Sequence, residues 1–190
     1  LEDCLACATR QNPRRLYLFV SKVLGKHWPV RPSMMRDVHR RLAEKMAHLP
    51  GPILVIGMAE TATALGRGVA EEAALQTGRD DILYLQTTRC RLSRPLAFDF
   101  DERHSHAPDH RVYLPDAALQ PLFRAVRTLV LVDDEISTGR TLAELARACF
   151  QRLPPSSVVL ADAGFGIFSV AWRHWLWPFL RVTTHRSAIP

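Results

Sequence analysis

Two carboxylates and a hydroxyl-rich glycine loop share one short stretch, LVDDEISTGRT, from Leu131 to Thr141. Ionised carboxylates such as Asp133 and Asp134 are pure acceptors, suited to sugar hydroxyls or to a divalent cation with its waters. Ser137, Thr138 and Thr141 offer hydroxyl donors, and Gly139 lets the main chain approach closely. At a helix start, the exposed amides and the positive dipole end hold a small dianion such as phosphate. Acid and phosphate repel if they face the same group. Set apart along one ligand, they select a molecule with a phosphate at one end and vicinal hydroxyls near its middle, which describes a ribose 5-phosphate. There is no Gly-x-x-x-x-Gly-Lys-[Ser/Thr] in this loop, which argues against a triphosphate site. Acids that merely cap a helix account for one carboxylate and not for the whole run.

Two other clusters could bind metal. HSHAPDH, residues 104–110, spaces its ligands as His-x-His-x-x-Asp-His, one residue longer than the His-x-His-x-Asp-His of dinuclear metallohydrolases. No apolar strand precedes it, so a dinuclear site is disfavoured. Cys4 and Cys7 form a single Cys-x-x-Cys with no second pair at zinc spacing, which reads as two reduced thiols in a loose N-terminus. Cys149 falls on the apolar face of a helix and is assigned to the core. Few, scattered cysteines and no signal peptide at the start of the chain give a cytoplasmic expectation.

The elements that must position the loop follow from hydrophobic patterning. Continuous apolar runs at 52–58, 81–88, 128–134 and 157–163 alternate with helical patterns at 60–78 and 141–153. Strands without polar alternation, separated by helices, imply a parallel sheet covered on both faces, with ligands at the carboxyl ends of its strands. Thr141 with Glu144 fits a capping box, placing a helix start at about Thr141. Residues 33–49 form an amphipathic helix with Ser33 as N-cap, and Gly78 ends the helix begun at 60. A long insertion from Arg89 to Asp116, rich in Arg, His and Asp, reads as a functional loop or lid.

With 190 residues, 47% of them hydrophobic, the chain forms one domain, 1–190. Lys and Arg number 25 against 19 Asp and Glu, a net charge of +6 that favours anionic partners without choosing among them. Gly164–Leu180 is apolar but short and carries Arg173 and His174, so no membrane partner is expected. Its aromatic stripe, Phe165, Phe168, Trp172, Trp175 and Phe179, suits core or oligomer packing.

Four apolar residues, two acids and Thr-Gly-x-Thr together resemble the PRPP-binding motif of type I phosphoribosyltransferases, PRPP being 5-phosphoribosyl 1-pyrophosphate; LVLVDDEISTGRT matches it throughout. The resemblance implies an α/β fold, a parallel sheet flanked by helices with a long mobile loop between the second and third core strands. It assigns the ribose hydroxyls to Asp133 and Asp134, and the 5-phosphate to Ser137, Thr138, Gly139, Arg140 and Thr141. GMAETATALG, residues 57–66, is similar to the pyrophosphate-binding loop, which makes Ala59, Glu60, Thr61 and Ala62 candidates there. On the insertion, Arg89, Arg91, His104, His106 and His110 become the catalytic candidates, with Arg103 beside them and Lys26 and His27 further off. KVLGKH, IGMAETAT and HSHAPDH add a closer likeness to the orotate-phosphoribosyltransferase-like members encoded with bacterial tellurite-resistance genes, covering most of residues 12–163.

The implied reaction is displacement of Mg-bound pyrophosphate from PRPP by a nitrogenous acceptor, through an oxocarbenium-like transition state. Mg²⁺ is the implied cofactor, reached by Asp133 and Asp134 through water. A homodimer is the implied assembly, since family members commonly dimerise. Relatives acting on 6-oxopurines carry an Asp where this chain has Ser137, which argues against that substrate class. Nucleic acid is not an expected partner. It belongs to the competing reading, a non-catalytic PRPP-sensing regulator whose patch would be Arg10, Arg14, Arg15, Arg36, Arg40 and Arg41.

Overall fold

The computed structural model describes residues 5–9, 17–25, 28–101, 109–136, 139–153, 155 and 157–162. Its centre is a sheet of four parallel strands, β3 (Ile53–Gly57), β4 (Ile82–Gln86), β7 (Thr128–Asp133) and β8 (Ser157–Asp162), in the order β4-β3-β7-β8. The unbroken apolar runs ILVIG and TLVLVD are what a doubly covered strand requires. Successive side chains point to opposite faces, and both faces are dry. Leu54, Ile56, Leu129 and Leu131 enter one core cluster, while Ile53, Val55, Val130 and Val132 enter the other. Helices α1 (Pro32–Glu44) and α2 (Thr63–Thr77) cover the second face. Helix α4 (Arg140–Arg152) lies over the first, burying Leu142, Leu145 and Cys149 as its periodicity predicts. A 3-10 turn, Ala117–Leu119, and the short helix α3 (Gln120–Arg124) lead into β7 and bury Phe123. The parallel sheet flanked by helices is the expected architecture.

Helix starts differ from the capping arguments. Helix α4 begins at Arg140 with Gly139 as N-cap at φ 69, and no side chain caps it. Thr141 is already inside the helix, so the Thr141–Glu144 box is not its start. The left-handed conformation open to glycine turns the chain into the helix a residue earlier. Helix α1 begins at Pro32 with Arg31 as N-cap rather than Ser33, because proline is preorganised for a first helical turn. Helix α2 starts at Thr63 and leaves 60–62 as a turn, but it ends at Gly78, φ 67, as expected.

Two antiparallel pairs were not foreseen. In place of a loose N-terminus, β1 (Leu5–Thr9) pairs with β2 (Tyr17–Ser21), and Cys7 lies exposed on β1; Cys4 is outside the described residues. After β2, Ser21 Oγ accepts from the amides of Val23 and Leu24, and both side chains join the core under α1 and α2. The insertion holds a ribbon of β5 (Leu96–Asp101) and β6 (Asp109–Tyr113). Phe98, Phe100, His110 and Val112 face inward from it. A reciprocal Thr88–Arg111 backbone pair ties the ribbon to the end of β4. The insertion is therefore not one long loop: alternation in LAFDFD and DHRVY builds strands, and residues 102–108 between them lie outside the described set. The aromatic segment 164–190 also lies outside it. No helix among the described residues is long and apolar enough to cross a membrane.

Candidate active site

Strands β3 and β7 are neighbours in register, Gly57 beside Val132, so the turns leaving their carboxyl ends emerge side by side. Met58 N–H donates to Val132 O at 2.9 Å and prolongs this pairing to the rim. The turn after β3 carries Ala59, Glu60, Thr61 and Ala62; the turn after β7 carries Asp133 and Asp134. They are joined directly, because Thr61 Oγ1 donates to Asp134 Oδ1 at 2.6 Å. Asp134 is buried and Asp133 half-buried. Asp133 Oδ1 accepts from the Asp134 amide at 2.9 Å.

The turn after β3 is held from several sides. Its Ala59–Glu60 peptide is cis. Ala59 N–H donates to Thr87 Oγ1 at 2.8 Å, Thr63 Oγ1 donates to Glu60 O at 3.1 Å, and Ala62 N–H donates to Met58 O at 3.0 Å. Beneath it, helix α2 crosses β3 glycine on glycine. A Cβ at Gly66 would stand 2.8 Å from Gly57 Cα, so only hydrogen fits there. Tyr84 hydroxyl donates to Thr63 O at 2.7 Å and pins the first turn of α2 to β4. Burial pushes the Tyr84 phenol up to about 12, partly opposed by Arg67.

Arg89 stands at the same rim, with Nη1 3.8 Å from the largely exposed Glu60 carboxylate. Arg91 is exposed nearby on the chain. His110 is fully buried, with its ring stacked on Phe100 at 5.0 Å between centroids. Its Nδ1 lies 3.3 Å from Thr87 Oγ1 and its Nε2 3.4 Å from Arg89 Nη2. In the loop expected to hold phosphate, Gly139 is buried, Arg140 exposed and Thr141 half-buried at the start of α4. Ser137, Thr138, His104, His106, Arg103, Lys26 and His27 lie outside the described residues.

The rim thus gathers Ala59, Glu60, Thr61 and Ala62 with Asp133 and Asp134, and Arg89 reaches it through Glu60. Sequence reasoning missed Thr87 and Tyr84. Thr87 is a hydroxyl just past the end of β4 and Tyr84 is the middle residue of that strand. Each is a polar group that needs a partner, a signal that does not name the partner. Among the described residues, no group of three or more His, Cys, Asp or Glu side chains is gathered that could hold a metal ion by itself. Of the arginines considered as a nucleic-acid patch, Arg36 donates to Glu72 at 2.6 Å and Arg40 to Asp37 at 2.8 Å.

A family model described as phosphoribosyl transferase matches residues 4–163. No curated protein matches the sequence significantly. Among solved structures, the adenine phosphoribosyltransferase of Giardia lamblia complexed with 9-deazaadenine is 14% identical, with a TM-score of 0.57 over 85% of this chain and 82% of that one. The Saccharomyces cerevisiae enzyme, complexed with an imino-altritol bisphosphate and adenine, is also 14% identical with a TM-score of 0.57, over 85% of each chain. The Rhodothermus marinus enzyme is 16% identical with a TM-score of 0.53, over 85% of this chain and 82% of that one. At these identities the likeness is one of fold.

Proposed function

The chain belongs to the phosphoribosyl transferase family, and from that premise we propose that it transfers the phosphoribosyl group of PRPP to a nitrogenous base, with release of pyrophosphate. The observation that carries this reading is the 2.6 Å bond between Thr61 and Asp134, which sets the pyrophosphate-type turn and the acid pair on one rim. One ligand can then span both, with its ribose on the acids and its diphosphate on the turn.

In this reading Asp133 and Asp134 accept from the ribose 2- and 3-hydroxyls. Ser137, Thr138, Gly139, Arg140 and Thr141 wrap the 5-phosphate with amides and hydroxyls at the start of α4, where the helix dipole adds to the attraction. The turn of Ala59 to Ala62 and the Arg89 guanidinium take the diphosphate, with Arg91, His104 and His106 supplied from the insertion. As the bond to the leaving oxygen lengthens, negative charge grows on the diphosphate and positive charge on the ribose ring. Fixed donors on one side and carboxylates on the other stabilise that separation without reorganising. The hard oxygen donors of Asp133 and Asp134 suit Mg²⁺ held through water, and the ion when bound would neutralise diphosphate charge. Ser137, in place of an Asp, directs the acceptor away from 6-oxopurines. The 9-deazaadenine and adenine in the Giardia lamblia and Saccharomyces cerevisiae complexes make adenine the first base to try.

The test is pyrophosphate release from PRPP with Mg²⁺ and a panel of purine and pyrimidine bases. Base-dependent release is the expected result. No release with any base, together with salt-dependent binding of RNA or DNA, would replace this reading with the PRPP-sensing regulator.

A further inference from the structure

His110 closes the HSHAPDH run and, as a loop histidine, would be expected to meet the diphosphate itself. The structure buries it completely, against Phe100 and between Thr87 and Arg89. Arginine can only donate, so the His110 Nε2 that faces Arg89 Nη2 at 3.4 Å must present its lone pair. A neutral ring that accepts at Nε2 carries its proton on Nδ1, which then donates to Thr87 Oγ1 at 3.3 Å. That oxygen has a second lone pair, and it accepts the Ala59 amide at 2.8 Å. The three contacts form one chain, from the ribbon through the end of β4 to the turn after β3. An imidazolium at this position would set two cations against each other in a buried site.

We propose that His110 is a positioning residue, held as the neutral Nδ1–H tautomer, which fixes the Arg89 guanidinium through Nε2 and the Ala59 turn through Thr87. It therefore acts on the diphosphate arm of the site while touching no substrate. This rests on the reading that Arg89 and the Ala59–Ala62 turn serve the diphosphate.

Two ligands separate the arms: inorganic pyrophosphate with Mg²⁺ for one, and ribose 5-phosphate for the other. His110→Phe keeps a stacked ring and removes both nitrogens, and His110→Gln returns an acceptor near the Nε2 position. By calorimetry, His110→Phe is expected to lose about tenfold in pyrophosphate affinity, the size of one charge-assisted hydrogen bond. Its ribose 5-phosphate affinity stays unchanged, and His110→Gln recovers most of the loss. Unchanged pyrophosphate binding in a folded His110→Phe variant would overturn the proposal, as would equal loss of both ligands. Should that variant fail to fold, Thr87→Val is read the same way. Independently of any ligand, imidazole ¹⁵N shifts of the unaltered protein should show a protonated Nδ1 and a bare Nε2. An imidazolium or an Nε2–H ring overturns the assignment. If the unaltered protein binds neither ligand, it is the functional reading that fails, and the ¹⁵N shifts still decide the tautomer.

Discussion

The carboxyl edge of the parallel sheet and the β5–β6 ribbon bring polar groups to the same rim by opposite means. At the sheet edge, Asp133, Asp134, Gly139 and Thr141 follow one another along one turn, each within a few residues of the next. On the ribbon, His110 reaches the rim only because β6 pairs with β5 and Arg111 pairs with Thr88. The first arrangement is written in neighbouring residues. The second is made by contacts such as His110 to Thr87, twenty-three residues apart. A site composed locally can be read before it folds, whereas one composed by strand pairing cannot.

The largest effect should come from the edge. Replacing both acids, Asp133→Asn with Asp134→Asn, removes the charge expected to hold the ribose hydroxyls and keeps the size of each side chain. Hydrogen bonds to charged groups are worth about 1.5–3 kcal/mol each, so PRPP affinity should fall by about a hundredfold or more. The carboxamide introduced at position 134 still offers an acceptor to Thr61, and the melting temperature should hold. Calorimetry returning the original affinity for PRPP would remove the ribose assignment, and with it the contrast between edge and ribbon.

That contrast also explains what the sequence disclosed. The strand runs ILVIG and TLVLVD announce burial on both faces, so the parallel sheet and its order of strands and helices were legible. The place of the acid pair at the end of β7 and of Gly139 before α4 was legible because both lie within one short turn of the chain, and their proposed chemistry is read from that spacing. The ribbon was not, because Arg, His and Asp are interspersed through the insertion and mask the inward alternation of Phe98, Phe100, His110 and Val112. Thr87 was hidden for a further reason. One hydroxyl at a strand end gives no sign that it will accept the Ala59 amide twenty-eight residues away.

A smaller effect should distinguish the ribbon from the edge. Phe100→Leu keeps most of the apolar volume but removes the ring stacked on His110. Near-volume-conserving core changes usually cost less than about 1.5 kcal/mol, so the variant should fold with a modestly lower melting temperature. Pyrophosphate affinity should weaken severalfold while ribose 5-phosphate binding stays as it was. Equal weakening of both would mean that the ribbon and the edge are one rigid unit rather than two separable arms.

Between the two regions stands Tyr84, whose hydroxyl donates to Thr63 O and ties β4 to the first turn of α2. Tyr84→Phe deletes that bond and should cost about 1 kcal/mol at neutral pH. The deficit should depend on pH in one direction. Burial raises the phenol from 10.0 to about 12, so above pH 10 the unfolded chain loses this proton before the folded protein does. The unfolded state then binds fewer protons, and stability must fall as pH rises through that window. The Phe variant has no such group and escapes this loss. The gap, taken as the advantage of the tyrosine protein in melting temperature, should therefore be widest below pH 10 and shrink towards pH 12, to the point of closing or reversing. A gap that stayed constant or widened over that range would show that the Tyr84 phenol is not held protonated against Thr63, and that β4 supports the edge by packing alone.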